Sequence, residues 1–231
     1  SFRDVPDGKW YTTYVATLEK AGVIVDSKDG NFRPNDAITR AELASMLAQF
    51  ANVTGGTNTF SDVPATHWAA DYIAAAVRSG WIQGYPDGTF RPNAPITRAE
   101  MAKIIALFAK LDKTADRFPD TAGHWAEAYI RLAAGNGWIE GYPDGSFRPD
   151  RSITRAETVT LVNRVLNRKP ETEDDLLPDM TTWTDNADKK AWYYLAIQEA
   201  TNSHYYKYKE NSEYEKWTEL RETRDWTLLE K

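Results

Sequence analysis

Three arginines stand in the same five-residue setting: Arg40, Arg98 and Arg155 each lie inside Ile-Thr-Arg-Ala-Glu, at 38–42, 96–100 and 153–157. A guanidinium is a permanent cation with a planar donor fork, which suits a carboxylate or a phosphate. Threonine followed three residues later by glutamate is the capping-box pattern, so each arginine falls in the first turn of a helix. Free backbone N–H groups and the positive end of the helix dipole already favour an anion there. Pairing with a neighbouring surface carboxylate is the alternative use of such an arginine, and repetition at one position favours a ligand. The copies are 58 and 57 residues apart, which makes the chain a repeat protein.

Further candidates recur with the same period. Asp4, Asp62 and Asp120 sit two residues after Phe2, Phe60 and Phe118. They read as caps or turn-formers, or as acceptors for a sugar hydroxyl. Gly84 and Gly141 precede Tyr-Pro-Asp-Gly, and serve either backbone geometry or close approach of a ligand. Trp10, Trp68 and Trp125 follow each opening phenylalanine by seven or eight residues and are expected to pack in the core. His67 and His124, each beside tryptophan without a second ligand, are expected to be hydrogen-bonded structural residues. In the acid-rich run 26–36, Lys28 and Arg33 break the alternation of oxygen ligands that a calcium loop needs.

The elements that must position these residues follow from the pattern. Trp68, Tyr72, Ile73, Ala76 and Val77 lie at helical spacing up to the stop at Gly80. Tyr-Pro-Asp-Gly then turns the chain, and Arg-Pro keeps it extended up to the capping threonine. A second helix follows, with Met101, Ile104, Ile105, Phe108 and Leu111 on one face. The first copy lacks Gly-Tyr-Pro-Asp-Gly at the loop. Residues 169–178 read as an acidic, proline-flanked linker. Beyond it Trp183-Thr184-Asp185 imitates a repeat opening, Trp192, Tyr193, Ala196 and Ile197 imitate its helix, and Tyr205 to Trp217 suggest a small hairpin around Glu210-Asn211-Ser212.

Composition narrows the function classes. The 231-residue chain can bury a sizeable core, and its net charge of −6 argues against nucleic acid as the main partner. With no cysteine there are no disulfides and no thiolate metal sites. No apolar run approaches the ~18 residues of a membrane span. The start at Ser1, directly before the first repeat, reads as that of a fragment fused to a larger exported protein. No nucleophile motif, metal-binding pair or phosphate loop supports an enzyme, and neither cofactor nor metal is expected.

The ordered set of Phe-x-Asp opening, His-Trp, Gly-Tyr-Pro-Asp-Gly-Thr/Ser-Phe-Arg-Pro loop and Ile-Thr-Arg-Ala-Glu helix start, repeated from residue 2 to about 168 with the first copy lacking His-Trp and Gly-Tyr-Pro-Asp-Gly, resembles S-layer homology (SLH) motifs. The resemblance implies an all-α fold of three helix-loop-helix repeats about a pseudo-threefold axis with a central three-helix bundle. The repeats would span 1–58, 59–116 and 117–168, with 169–231 as a small helix and hairpin extension capping them. It also implies an extracellular cell-wall or S-layer location, and binding of secondary cell-wall polysaccharide carrying ketal-linked pyruvate in grooves between repeats. Arg40, Arg98 and Arg155 would then clamp the carboxylate, Asp4, Asp62 and Asp120 would accept sugar hydroxyls, and Gly84 and Gly141 would leave room at the groove wall. Assembly of a surface lattice through protein contacts is the competing function.

Overall fold

The computed structural model describes residues 30–221 apart from 52, 110, 166 and 203. Asp4, Trp10 and residues 26–29 of the acid-rich run therefore lie outside the described residues. Among the described residues there are six α-helices: α1 (Arg40–Phe50), α2 (Ala70–Arg78), α3 (Arg98–Ala109), α4 (Glu127–Gly135), α5 (Arg155–Val165) and α6 (Tyr194–Thr201). A two-stranded antiparallel sheet, β1 (His204–Tyr208) and β2 (Glu215–Leu220), completes a mostly helical chain.

The chain forms two compact units, one of residues 37–48 and 52–154, the other joining 30–36 and 49–51 to 155–221. In the first, α1 and α3 begin where the capping boxes predict. Thr39 N–H donates to Glu42 at 2.7 Å while Glu42 N–H donates back to the Thr39 hydroxyl at 3.2 Å. Thr97 and Glu100 exchange the same pair at 3.0 and 3.1 Å. The isoleucines before these caps join end to end: Ile96 N–H bonds Ile38 C=O, Ile153 N–H bonds Ile96 C=O, and Ile38 N–H bonds Ile153 C=O, at 3.1, 2.9 and 3.2 Å. This closed three-membered cycle is wholly buried, so each amide satisfies the next repeat's carbonyl where water cannot. Met101, Ile104 and Ile105 are buried on the predicted face of α3, which packs on α4.

Trp68 and Trp125 do not enter the core. Each stands just ahead of its helix, 55 % and 57 % exposed, packed on its neighbouring histidine ring. Helical spacing carried the prediction past the true helix start, and Ile73 and Ile130 fill the interior instead. The histidines are hydrogen-bonded as expected: Nδ1 of His67 and of His124 accepts the N–H of Ala69 and of Ala126, the residues that cap α2 and α4.

In the second unit α5 packs on α6, and the Asn163 side-chain amide donates to Ala196 C=O at 2.9 Å. The expected linker is ordered structure. Thr172 and Asp175 cap a 3-10 turn at Glu173–Asp175, Asp175 is buried, and Lys209 bonds its carboxylate at 2.9 Å. Leu176 is buried with Tyr194 and Trp217 in a small core that Leu177, Met180, Ala191, Leu195 and Leu220 surround. The hairpin forms as predicted, with Asn211 at positive φ in its turn.

Candidate functional site

Every Ile-Thr-Arg-Ala-Glu arginine is buried, with exposures of 4 %, 3 % and 5 % for Arg40, Arg98 and Arg155. None of them is a loose surface cation. Arg40 Nε donates to Phe90 C=O at 2.8 Å and its Nη2 to Gln83 C=O at 2.6 Å. Arg98 makes the same two bonds to Phe147 and Glu140 C=O, at 2.8 and 2.6 Å. Arg155 Nε bonds Phe32 C=O at 2.9 Å. Aromatic rings flank each guanidinium: Tyr85 and Phe90 at 4.9 and 4.6 Å from Arg40, Tyr142 and Phe147 at 4.7 and 4.5 Å from Arg98, and Phe32 at 4.9 Å from Arg155. Burial lowers the Arg40 pKa from the ordinary guanidinium value, with Tyr85 and Glu100 opposing that shift.

The neighbouring loop arrives by a repeated backbone register. The N–H groups of Arg40 and Ala41 bond the carbonyls of Ala94 and Pro92; those of Arg98 and Ala99 bond Arg151 and Pro149; those of Arg155 and Ala156 bond Asp36 and Pro34. First-turn N–H donors that a helix leaves orphaned are thereby satisfied by the Arg-Pro loop of a different repeat. The same arginine then reaches deeper into that loop with its side chain. Each arginine site thus joins one repeat's helix start to another repeat's turn.

The aspartates and glycines have structural duties in these loops. Asp62 accepts the N–H of Phe90 and of Arg91 at 2.8 and 2.7 Å, one on each oxygen, and Asp120 does so for Phe147 and Arg148 at the same distances. Partial desolvation pushes these carboxyls up, and the paired amides more than offset it, so both titrate below the usual carboxylate range. Arg91 and Arg148 sit at φ of 57° and 55°, an uncommon backbone for a side chain, held by this two-pronged grip. A Cβ on Gly84 would lie 2.1 Å from Cε1 of Phe60, and one on Gly141 2.4 Å from Cε1 of Phe118. Close approach is what these glycines permit, and the opening phenylalanine ring occupies the space.

Sequence reasoning missed one buried cluster. Arg168 Nε and Nη2 reach Glu215 at 2.6 and 3.2 Å, its Nη2 reaches Glu199 at 3.0 Å, and His204 Nε2 faces both carboxylates. Trp217 stacks on His204 with ring centres 3.9 Å apart and donates to Glu199 at 2.8 Å. Glu199, His204 and Glu215 place one donor atom each within 4.8 Å of the others, a spacing that could hold a metal ion. The Arg168 guanidinium already supplies the positive charge there. Burial pushes Glu199 up, but Arg168 and His204 outweigh it and hold it at about 2. Burial pushes Glu215 up, and Glu199's charge adds to that.

The comparisons with known proteins agree with the repeat pattern. The S-layer homology domain model matches residues 1–44, 59–102 and 117–159, more than half of the chain. Among the curated relatives, a cell surface glycoprotein 1 of Acetivibrio thermocellus is 38 % identical over 77 % of this chain and 8 % of its own length. A cellulosome-anchoring protein of the same organism is 38 % identical over 84 % of this chain and 45 % of its own length. A surface-layer 125 kDa protein of Lysinibacillus sphaericus is 34 % identical over 66 % of the chain and 14 % of its own length. The chain thus spans less than half the length of these relatives. It belongs to the S-layer homology domain family, whose members here include a cell surface glycoprotein and a surface-layer protein.

Proposed function

We propose that this chain is a non-covalent cell-surface anchoring module that binds secondary cell-wall polysaccharide through its ketal-linked pyruvate. One observation carries the reading: three arginines, each at a helix N-terminus, are fixed by main-chain carbonyls and aromatic rings in the same way. A guanidinium so held is preorganised, and its planar fork at a helix N-terminus suits a pyruvate carboxylate. Tyr85 and Tyr142, whose rings lie against these guanidiniums, suit a sugar face. The cyclic backbone bonds among Ile38, Ile96 and Ile153 support a pseudo-threefold reading of the repeats. Several modest sites on one repeating polymer would combine by avidity.

The module fits binding better than catalysis. An amylopullulanase of Thermoanaerobacterium thermosulfurigenes is 31 % identical to this chain, but the match covers only 10 % of that enzyme. Lattice assembly asks for a broad apolar face, whereas Trp68 and Trp125 each lie against a histidine ring ahead of a helix. The test is co-sedimentation of the chain with purified wall polymer before and after chemical removal of pyruvate. Binding should fall sharply on depyruvylation, and equal binding to both polymers overturns the carboxylate reading.

A further inference from the structure

The tail's imitation of a repeat opening extends to its contacts. In the second and third repeats the opening aspartate grips the Phe-Arg amides of its own loop, 27 to 29 residues away. In the first repeat those amides belong to Phe32 and Arg33, and both donate to Asp185, at 2.7 and 2.6 Å across more than 150 residues. Three neighbouring contacts repeat the substitution. Ser61 N–H and hydroxyl reach Gly88 C=O at 3.1 and 3.4 Å, and Thr184 N–H and hydroxyl reach Gly30 C=O at 3.0 and 3.2 Å. Phe60 packs on Phe90 and Phe118 on Phe147 at 5.4 and 5.2 Å, and Trp183 packs edge-on to Phe32 at 6.0 Å. Arg33 takes φ of 59°, like Arg91 and Arg148. Then α6 packs on α5 as α4 packs on α3, and Trp192 is exposed ahead of its helix like Trp68 and Trp125.

We propose that residues 183–201 are the first half of a repeat whose second half includes residues 30–36, so that the C-terminal segment builds the loop that seats Arg155. One N–H on Phe32 and one on Arg33 can be gripped in this bidentate way by one carboxylate at a time. Asp4 and Asp185 are therefore rivals for a single seat, and the geometry assigns it to Asp185. The loop so held presents Phe32 C=O to Arg155 Nε and the Asp36 and Pro34 carbonyls to the start of α5. Asp185 is thus a positioning residue for the third arginine, and the tail completes a site instead of only covering one.

The test compares Asp185→Ala, Asp185→Asn and Asp4→Ala in the full chain, by amide hydrogen exchange and by calorimetric titration with a short pyruvylated wall fragment. Exchange at Phe32 and Arg33 should quicken about tenfold or more in Asp185→Ala, the size expected for lost bonds to a charged acceptor. Asp185→Asn should fall between that variant and the parent, while Asp4→Ala matches the parent and Phe90, Arg91, Phe147 and Arg148 stay protected throughout. The exchange arm needs no ligand, so its result stands even if the glycan reading fails. The titration arm rests on that reading, and should lose the Arg155 site in Asp185→Ala while the sites of Arg40 and Arg98 keep their affinity. Quickened exchange at Phe32 and Arg33 in Asp4→Ala, or unchanged exchange in Asp185→Ala, overturns the proposal. If Asp185→Ala does not fold, the intermediate Asp185→Asn decides by the same criterion.

Discussion

At the scale of single residues, the arginines proposed to take the anion also hold the fold together. Arg98 is buried and bonded to two main-chain carbonyls, so its removal leaves those acceptors without a charged donor. Arg98→Ala should lower unfolding free energy by about 2–4 kcal/mol, checked by urea titration, since a bond to a charged group is worth roughly 1.5–3 kcal/mol. Arg98→Lys should recover only part of this, because one ammonium cannot span both carbonyls or lie flat between Tyr142 and Phe147. A lysine variant as stable as the parent would show that charge alone suffices. A binding loss in Arg98→Ala counts toward the proposed site only when the variant is measured well below its melting temperature. Gly84 gives the complementary case. Gly84→Ala should destabilise by about 1–3 kcal/mol, because its Cβ meets the Phe60 ring, and Gly84→Ala in a Phe60→Leu background should cost less.

At the scale of elements, what was legible in the sequence was what local chemistry decides. The Thr-x-x-Glu boxes predicted the starts of α1 and α3 because both partners lie within one turn. The hairpin was legible from its polar turn and alternating aromatics. Residues 169–178 misled because their acidity resembled a solvated linker, whereas Asp175 is buried against Lys209 and its own cap. Composition does not reveal that a carboxylate has found partners 34 residues away. Trp68 and Trp125 misled for the opposite reason, since aromatic size favours burial but a residue ahead of the first turn has no interior to face. Within the tail, Leu176→Ala should therefore cost about 2–3 kcal/mol, read by thermal unfolding, whereas Trp192→Ala should stay within about 0.5 kcal/mol.

The buried cluster that joins Arg168 to α6 and the hairpin makes tail stability depend on pH. Glu199 is depressed to about 2, so its contribution is present above the ordinary glutamate range near 4.3 and is lost as pH falls from there towards 2. His204 moves the other way. Burial pushes its pKa down, but Glu199 and Glu215 outweigh that and raise it. Its contribution is therefore present below about 6.5 and lost as pH rises through the raised value. Tryptophan fluorescence of Trp217, which stacks on His204, should report both limbs in denaturant titrations across pH. In Glu199→Gln the acid limb should be shallower than in the parent, and an unchanged slope would place the acid sensitivity elsewhere.

At the scale of the whole molecule, the least legible feature was the pairing of the chain's distant parts. Residue periodicity identified three repeats and even the fourth opening at Trp183, but a motif does not say which loop it will grip. Asp185 and Phe32 are 153 residues apart, and only the fold brings them together. Deleting residues 169–231 would remove three kinds of support at once: the carboxylate on the Phe32 and Arg33 amides, the two glutamates around Arg168, and the apolar face that α6 lays on α5. A chain ending at Arg168 should melt well below the parent, by more than the roughly 2–4 °C that one kcal/mol shifts a protein of this size. The excess distinguishes a cooperative cap from an appended domain, which would leave the melting of residues 1–168 unchanged. Adding the segment 169–231 back as a separate peptide should raise the melting temperature of the shortened chain in a concentration-dependent way, because anything that binds only the native form stabilises it by mass action. The same addition with an Asp185→Ala peptide should restore less, since that peptide keeps the packing of α6 but has no carboxylate for Phe32 and Arg33.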